Sequence, residues 1–340
     1  MKLSTIGRGL ALGACASLVL SACVAGSNAG QSGSSATGDA DVTIGLTYIP
    51  NVQFAPVYVA DTQGLYNDAG VTATVRHHGS DEGLFTALLA GQEDVVIASG
   101  DEAVVAASQG LDLVSIGQYY ASYPGAVIVP ADSPIATLAD LKGKTIGIPG
   151  EYGSSYYATL AAIKAGGLQT SEVTISSIGY TQQAALAAGQ VDAVVGFTNN
   201  DAVQMRLSGL DIREIPLDDG STPLVAASIV TTREWAQAHP QQARAVVSAT
   251  ASAMNAIAEN PQVALDATAQ WDTTLTDETS LGAANAVLAA TVPLWLQDLA
   301  TWSSMVSFLS SIGVLEGDVD PSAIVTNEYA DAGAQASSQS

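Results

Sequence analysis

Cations are the scarcest resource in this 340-residue chain. It carries 10 Lys and Arg against 33 Asp and Glu, a formal net charge of −23. That balance repels phosphate backbones and anionic membrane faces, so nucleic acid is excluded as a partner. Histidine is rarer still, with His77, His78 and His239 alone. His77 and His78 precede Gly79 and read as a solvated turn. The chain contains no HExxH, no P-loop and no GxSxG elbow, the usual marks of zinc hydrolases, nucleotide enzymes and serine hydrolases. Beyond the amino terminus no segment is apolar enough to span a bilayer.

At the amino terminus, Lys2 and Arg8 precede a short apolar run from Leu10 to Leu20, followed by Ser21-Ala22-Cys23. A basic start, a brief apolar stretch and small residues before a cut describe a secretory signal. The cysteine directly after that site resembles a bacterial lipobox, in which it is lipidated and becomes the first mature residue. Residues 1–22 are therefore expected to be a signal peptide and Cys23 the lipid anchor of an extracytoplasmic protein. Gly, Ser, Ala, Asn and Gln dominate up to Asp41, so residues 23–41 form a flexible tether; residues 331–340 form a disordered tail. Without its signal the chain would hold 8 basic and 33 acidic side chains, a net charge of −25, and Cys23 as its sole cysteine. A disulfide and a cysteine–zinc site are then both excluded.

Two stretches 98 residues apart read almost alike, Ala87-Leu88-Leu89-Ala90-Gly91-Gln92-Glu93-Asp94-Val95-Val96 and Ala185-Leu186-Ala187-Ala188-Gly189-Gln190-Val191-Asp192-Ala193-Val194. Each is a helix end stopped by glycine, a short turn and a buried β-branched strand. A polar loop follows each strand, Ser99-Gly100-Asp101-Glu102 and Thr198-Asn199-Asn200-Asp201. Open α/β sheets bind ligands beyond the carboxyl ends of their strands, so two such units suggest two lobes facing one cleft.

Strands are expected at 42–48, 71–76, 95–98, 113–117, 144–148, 173–178 and 212–215, alternating with helices that include one from Ser80 to Gly91. That alternation indicates an α/β fold of two doubly wound, largely parallel lobes. Ala126-Val127-Ile128-Val129 reads as a strand crossing between lobes and Leu224–Val230 as the return. Lobe 1 then comprises 42–128 and 226–330, lobe 2 comprises 129–225, and the two crossings act as hinges. From Glu234 to Phe308 the chain reads as helix-rich.

Tyr48-Ile49-Pro50-Asn51, Ala55-Pro56-Val57-Tyr58-Val59-Ala60, Gly64-Leu65-Tyr66 and Ala69-Gly70-Val71 resemble the opening of type II periplasmic solute-binding proteins. The branch in question includes receptors for alkylsulfonates, nitrate and the thiamine pyrimidine precursor. Leu138–Gly147 is similar to that family's entry into the second lobe, and Trp302–Phe308 to its closing helix. The resemblance implies a monomeric receptor without cofactor or metal, handing a small solute to an ABC permease. Pro50-Asn51 is most similar to the pyrimidine-precursor receptors; Tyr48 stands where they carry Trp, and Val52-Gln53-Phe54 replaces their polar stretch. Riboflavin, taurine and nitrate remain alternative ligands, and a sensor remains an alternative to the permease. The pyrimidine-forming enzymes of the superfamily rely on a cysteine cluster that this chain lacks.

Seven of the 19 aromatic residues, Tyr48, Phe54, Tyr119, Tyr120, Tyr152, Tyr156 and Tyr180, fall at expected strand ends. They could hold the faces of a flat ring. The candidate ligand set is Tyr48, Asn51, Phe54, Ser99, Gly100, Asp101, Gln118, Tyr119, Tyr120, Glu151, Tyr152, Gly153, Ser154, Ser155, Tyr180, Thr198 and Asn199. Gly150–Ser155 opens a helix and could bind an anion. No Arg or Lys lies in a candidate loop, however, whereas Asp101, Glu102, Glu151 and Asp201 do. A carboxylate can accept from the ring N–H and amino group of an aminopyrimidine together, and Asp101 and Glu151 are the expected acceptors. The chemistry favours a small, neutral or weakly cationic heteroaromatic solute and no catalysis.

Overall fold

The computed structural model describes residues 40–79, 82–217, 222–273 and 296–330. The signal, Cys23, the tether up to residue 39, the expected helix cap Ser80, residues 274–295 of the helical run and the 331–340 tail lie outside the described residues; Ala40 and Asp41, expected in the tether, instead open the first strand.

Among the described residues the strands are β1 (Ala40–Leu46), β2 (Val71–His77), β3 (Val95–Ser99), β4 (Leu113–Gln118), β5 (Gly125–Pro130), β6 (Thr145–Ile148), β7 (Thr174–Ser177), β8 (Ala193–Phe197), β9 (Ile212–Pro216) and β10 (Ala227–Thr232). They form two five-stranded sheets, β2-β1-β3-β10-β4 and β7-β6-β8-β5-β9. In each sheet four strands point one way and one opposes them, β10 in the first and β5 in the second. The two lobes therefore share one topology. Every residue of β3 is buried, as is β8 up to Gly196, which explains their apolar composition.

The repeated sequence is repeated structure. Gly91 and Gly189 both take φ near +65°, at 66° and 64°, and turn the chain from helix to strand. Asp94 Oδ2 accepts the Thr43 N–H and Asp192 Oδ2 accepts the Thr145 N–H, each at 2.8 Å. Each aspartate N–H donates back to the same threonine's carbonyl at 2.9 Å. The short acidic side chain thus pins β3 to β1 and β8 to β6 by the same device.

Several expectations are corrected. The 126–129 strand does not cross between lobes; as β5 it pairs with β8 and β9 inside the second sheet. The first crossing is Tyr119–Pro124 instead, where Tyr119 and Tyr120 N–H both donate to Ala227 O at the start of β10. The return strand begins at Ala227, not at Leu224; the segment before it is held by Gly100, whose N–H donates to the Val225 and Ala226 carbonyls. The helix expected from Ser80 to Gly91 spans only Thr86–Leu89. The stretch from Glu234 to Phe308 is helix-rich as expected where it is described, with helices Arg233–Ala238, Pro240–Glu259, Gln262–Thr268 and Leu299–Ser311; Pro240 and Pro261 stand at the joints, where a ring without an N–H cannot continue a helix.

His77 and His78 are not a solvated turn. His78 is buried and its Nε2 lies 2.9 Å from Glu93 Oε1, which Arg76 also holds at 2.6 Å. A carboxylate so buried needs such partners. His77 Nδ1 lies 2.9 Å from the Tyr48 carbonyl, which can only accept, so Nε2 accepts from the Tyr58 hydroxyl at 3.0 Å. Burial lowers the His77 pKa, in keeping with that neutral ring. Tyr58 in turn stacks on Trp271, centroids 5.4 Å apart. The histidines brace the first lobe beneath Tyr48.

Candidate functional site

The carboxyl ends of the parallel strands in both lobes face one cleft. Thr47 and Tyr48 follow β1, Ile97–Ser99 close β3, and Tyr119 and Tyr120 follow β4. From the second lobe come Pro149 after β6, Tyr180 after β7 and Phe197 at the end of β8. Parallel strands end in a shared plane, so residues just past them converge. Seven aromatic rings line the space: Tyr48, Phe54, Tyr119, Tyr120, Tyr152, Tyr180 and Phe197. Tyr48 and Tyr180 meet edge to face across the lobes, centroids 4.8 Å apart at 82°.

The lobes are clasped at the amino end of the Gly153–Ala165 helix. Glu102, from the Gly100–Ser108 helix of the first lobe, accepts the Ser154 N–H through Oε1 at 3.0 Å and the Ser99 N–H through Oε2 at 2.9 Å. Asp101 Oδ2 accepts from the Ser154 hydroxyl at 3.0 Å and from the Tyr123 hydroxyl at 3.2 Å. Gly153 sits at φ +69°, and a Cβ there would stand 3.1 Å from Glu102 Oε1; glycine supplies both the conformation and the room. Burial pushes the Asp101 carboxyl well above the usual range, with the neighbouring Glu102 charge adding to it. Burial raises Glu102 too, while its two backbone donors pull it back. The helix end where an anionic solute would sit is thus already occupied by the protein's own carboxylate.

Of the residues singled out from the sequence, Tyr48, Phe54, Ser99, Tyr119, Tyr120, Tyr152, Gly153, Ser154, Ser155 and Tyr180 line the cleft. The others do not. Asn51 Oδ1 caps the Gln53 N–H at 2.9 Å. Gly100 donates to Val225 O and Ala226 O, fixing the return crossing. Asp101 is fully enclosed in the clasp, and Glu151 is exposed outside the cleft, so neither expected carboxylate acceptor lines it. Gln118 Nε2 donates to Tyr120 O at 2.7 Å, and Thr198 N–H donates to Pro124 O. Asn199 is buried and does not line the cleft. Tyr156 packs on Tyr157 and the core.

Gln53, Leu84, Gln182, Asn200 and Phe197 also line the cleft, with Glu102 and Asp201 as its carboxylates. Phe197 was legible: it stands 98 residues after Ser99, the spacing of the repeat. Asp201 Oδ2 accepts the Phe197 N–H at 2.7 Å, and Gly196 leaves the space for it, since a Cβ there would lie 2.7 Å from the carboxylate. Burial pushes the Asp201 carboxyl up to about 6. Among the described residues no Lys, Arg or His lines the cleft. The arrangement can grip a flat ring between aromatic faces and offers no cation to an anionic solute.

Residues 51–264 match the family described as NMT1/THI5 like. The riboflavin-binding protein RibY of Chloroflexus aurantiacus is 31% identical over 307 residues, covering 86% of each chain. The formylaminopyrimidine-binding protein of Halalkalibacterium halodurans is 23% identical over 228 residues, 66% of this chain and 68% of that one. Among solved structures, the alkanesulfonate-binding protein SsuA of Xanthomonas axonopodis pv. citri superposes with a TM-score of 0.69 at 21% identity, covering 86% of this chain and 99% of that one. The last likeness is one of fold, two α/β lobes of the periplasmic-binding-protein type. With the family pattern running through both sheets and the cleft between them, the chain belongs to the NMT1/THI5-like family.

Proposed function

We propose that this chain is the solute-binding receptor of an ABC importer, and that its solute is an uncharged heteroaromatic vitamin of the flavin class. The observation that carries the reading is an aromatic-walled cleft whose helix amino end is filled by Glu102 and whose lining offers no cation. A sulfonate or nitrate would meet a carboxylate where it needs donors. A tricyclic ring gains roughly 0.5–1.5 kcal/mol from each well-placed aromatic contact. The similarity to a riboflavin-binding protein over 86% of both chains supports the same ligand class. A second reading, an aminopyrimidine, is favoured by Asp201, a carboxylate at the cleft that could accept from an amino group.

The receptor is read as a monomer that hands its solute to a permease outside the cytoplasm, tethered by a lipid on Cys23. Some relatives are named pyrimidine phosphate synthases. Catalysis is not proposed for this chain, because the histidines are engaged elsewhere: His77 and His78 brace the first lobe, and His239 packs on Trp235.

Mass spectrometry of the solute released on denaturing the purified protein tests the ligand, followed by calorimetric titration with riboflavin, the aminopyrimidine and taurine. Riboflavin binding with taurine inert is expected. Tight taurine binding would overturn the reading. Separately, Cys23→Ala should move the protein from the membrane fraction to the soluble one.

A further inference from the structure

Asp101 and Glu102 stand side by side in the clasp, and among the described residues no ion pair includes either acid. Burying two adjacent carboxylates without a cation is unfavourable, and the strain is relieved when one of them keeps a proton. Their partners say which one. Glu102 faces the Ser99 and Ser154 N–H groups, and Asp101 Oδ1 faces the Glu102 N–H at 2.7 Å. A backbone N–H can only donate, so these bonds hold their oxygens as acceptors. Asp101 Oδ2 faces hydroxyls instead, Ser154 Oγ at 3.0 Å and Tyr123 Oη at 3.2 Å, and hydroxyls both give and take. Ser154 Oγ and Tyr123 Oη lie 2.7 Å apart, and the Ser154 carbonyl lies 3.3 Å from the tyrosine hydroxyl. A proton on Oδ2 can therefore go to Ser154 Oγ, the serine then donates to Tyr123, and the tyrosine to the Ser154 carbonyl. Every hydrogen in that circuit finds an acceptor. Its members come from three parts of the molecule: Asp101 from the first lobe, Ser154 from the second and Tyr123 from the first crossing.

We propose that closing the lobes takes up one proton, lodged on Asp101 Oδ2, so that the receptor holds its solute more tightly at lower pH and opens as pH rises. This rests on the reading of the cleft as one that closes on a solute, whichever solute that is. Separating the lobes takes Ser154 away and admits water, which returns Asp101 toward an ordinary carboxylate. In the closed form burial, reinforced by the Glu102 charge, holds it well above that range. Between the two values the closed state carries the extra proton, so closure weakens as pH rises, by at most about tenfold per pH unit for one proton. The other titratable groups facing the pair are Tyr123 on the crossing, Tyr157 on the Gly153–Ala165 helix and Tyr180 after β7, whose hydroxyls burial keeps neutral. His78 acts on Glu102 from the first lobe and is itself bonded to Glu93.

Small-angle scattering of the ligand-free protein from about pH 5 to 8 reads closure directly. The radius of gyration should grow with pH in the parent. Asp101→Asn should stay compact throughout, because its amide can donate to Ser154 Oγ and Tyr123 Oη while its oxygen keeps the Glu102 N–H. Asp201→Asn, which removes the second-lobe carboxylate of the cleft, should still open with pH as the parent does. Calorimetry with riboflavin at one pH, in phosphate and in Tris, gives a readout that needs no variant. Binding should be less exothermic in Tris, whose loss of a proton absorbs more heat, and Asp101→Asn should remove that difference. A parent that keeps one size across the range would overturn proton-linked closure. So would a pH dependence shared by the parent and Asp101→Asn, or equal binding enthalpies in the two buffers. If riboflavin does not bind, the flavin reading falls, and the ligand-free scattering still decides whether closure takes up a proton.

Discussion

Adjacent acids in this chain have unlike surroundings, and their titration should reveal it. Asp201 lies at the cleft with its carboxyl pushed up to about 6 by burial, against an ordinary 3.8. The folded state therefore holds a proton more tightly than the unfolded chain. Between about pH 4 and 6 unfolding releases that proton, so this group's contribution to stability falls as pH rises through the window and is fully lost above it. Asp201→Asn keeps an acceptor for the Phe197 N–H and removes the charge. In ligand-free protein, urea midpoints of this variant should decline less from pH 4 to 6.5 than those of the parent. Parallel curves would show that the carboxyl titrates normally.

The repeat makes a prediction at the level of the strand. Asp94 and Asp192 each pin a parallel neighbouring strand, β1 and β6 respectively, through one side-chain acceptor. Asp94→Ala and Asp192→Ala should each lower stability by about 0.5–1.5 kcal/mol. Because the two lie in different sheets, the double variant should lose the sum. These elements were legible from sequence because helix end, glycine, aspartate and β-branched strand are all local signals. The acids of the clasp were not. Asp101 and Glu102 are neighbours on one helix, and about 100° of rotation decides which faces the cleft. That rotation is set where Gly100 packs on Val225 and Trp302, more than a hundred residues away. Likewise β5 reads as an apolar strand wherever it is placed. Only its pairing with β8 and β9 assigns it to the second sheet, so the crossing shifted by a few residues from the expected position.

Across the whole molecule, the lobes meet through Glu102 on Ser154, Asp101 on Ser154, and Tyr48 on Tyr180. A solute gripped between the rings adds to these contacts only when the lobes are together, so it shifts the population toward closure by its differential affinity. Small-angle scattering should give a smaller radius of gyration with riboflavin than without. Glu102→Gln removes one acceptor from the clasp and leaves a backbone N–H unpaired, at roughly 1–3 kcal/mol. The ligand-free variant should therefore scatter as a more open particle than the ligand-free parent. Identical profiles for all three samples would argue against hinge motion.

The late return of β10 to the first sheet also sets an order of assembly. All five strands of the second sheet come from one uninterrupted stretch, residues 125–216. The first sheet leaves a gap between β3 and β4 that is filled only when β10 arrives, more than a hundred residues later. Closing so long a loop is slow, and it must wait for synthesis as well. The second lobe can thus form as the chain emerges, while the earlier-made first lobe waits, β3 and β4 unpaired on their facing sides, for the segment that completes it. In pulsed hydrogen exchange during refolding, amides of β6 and β8 should gain protection before those of β3 and β4.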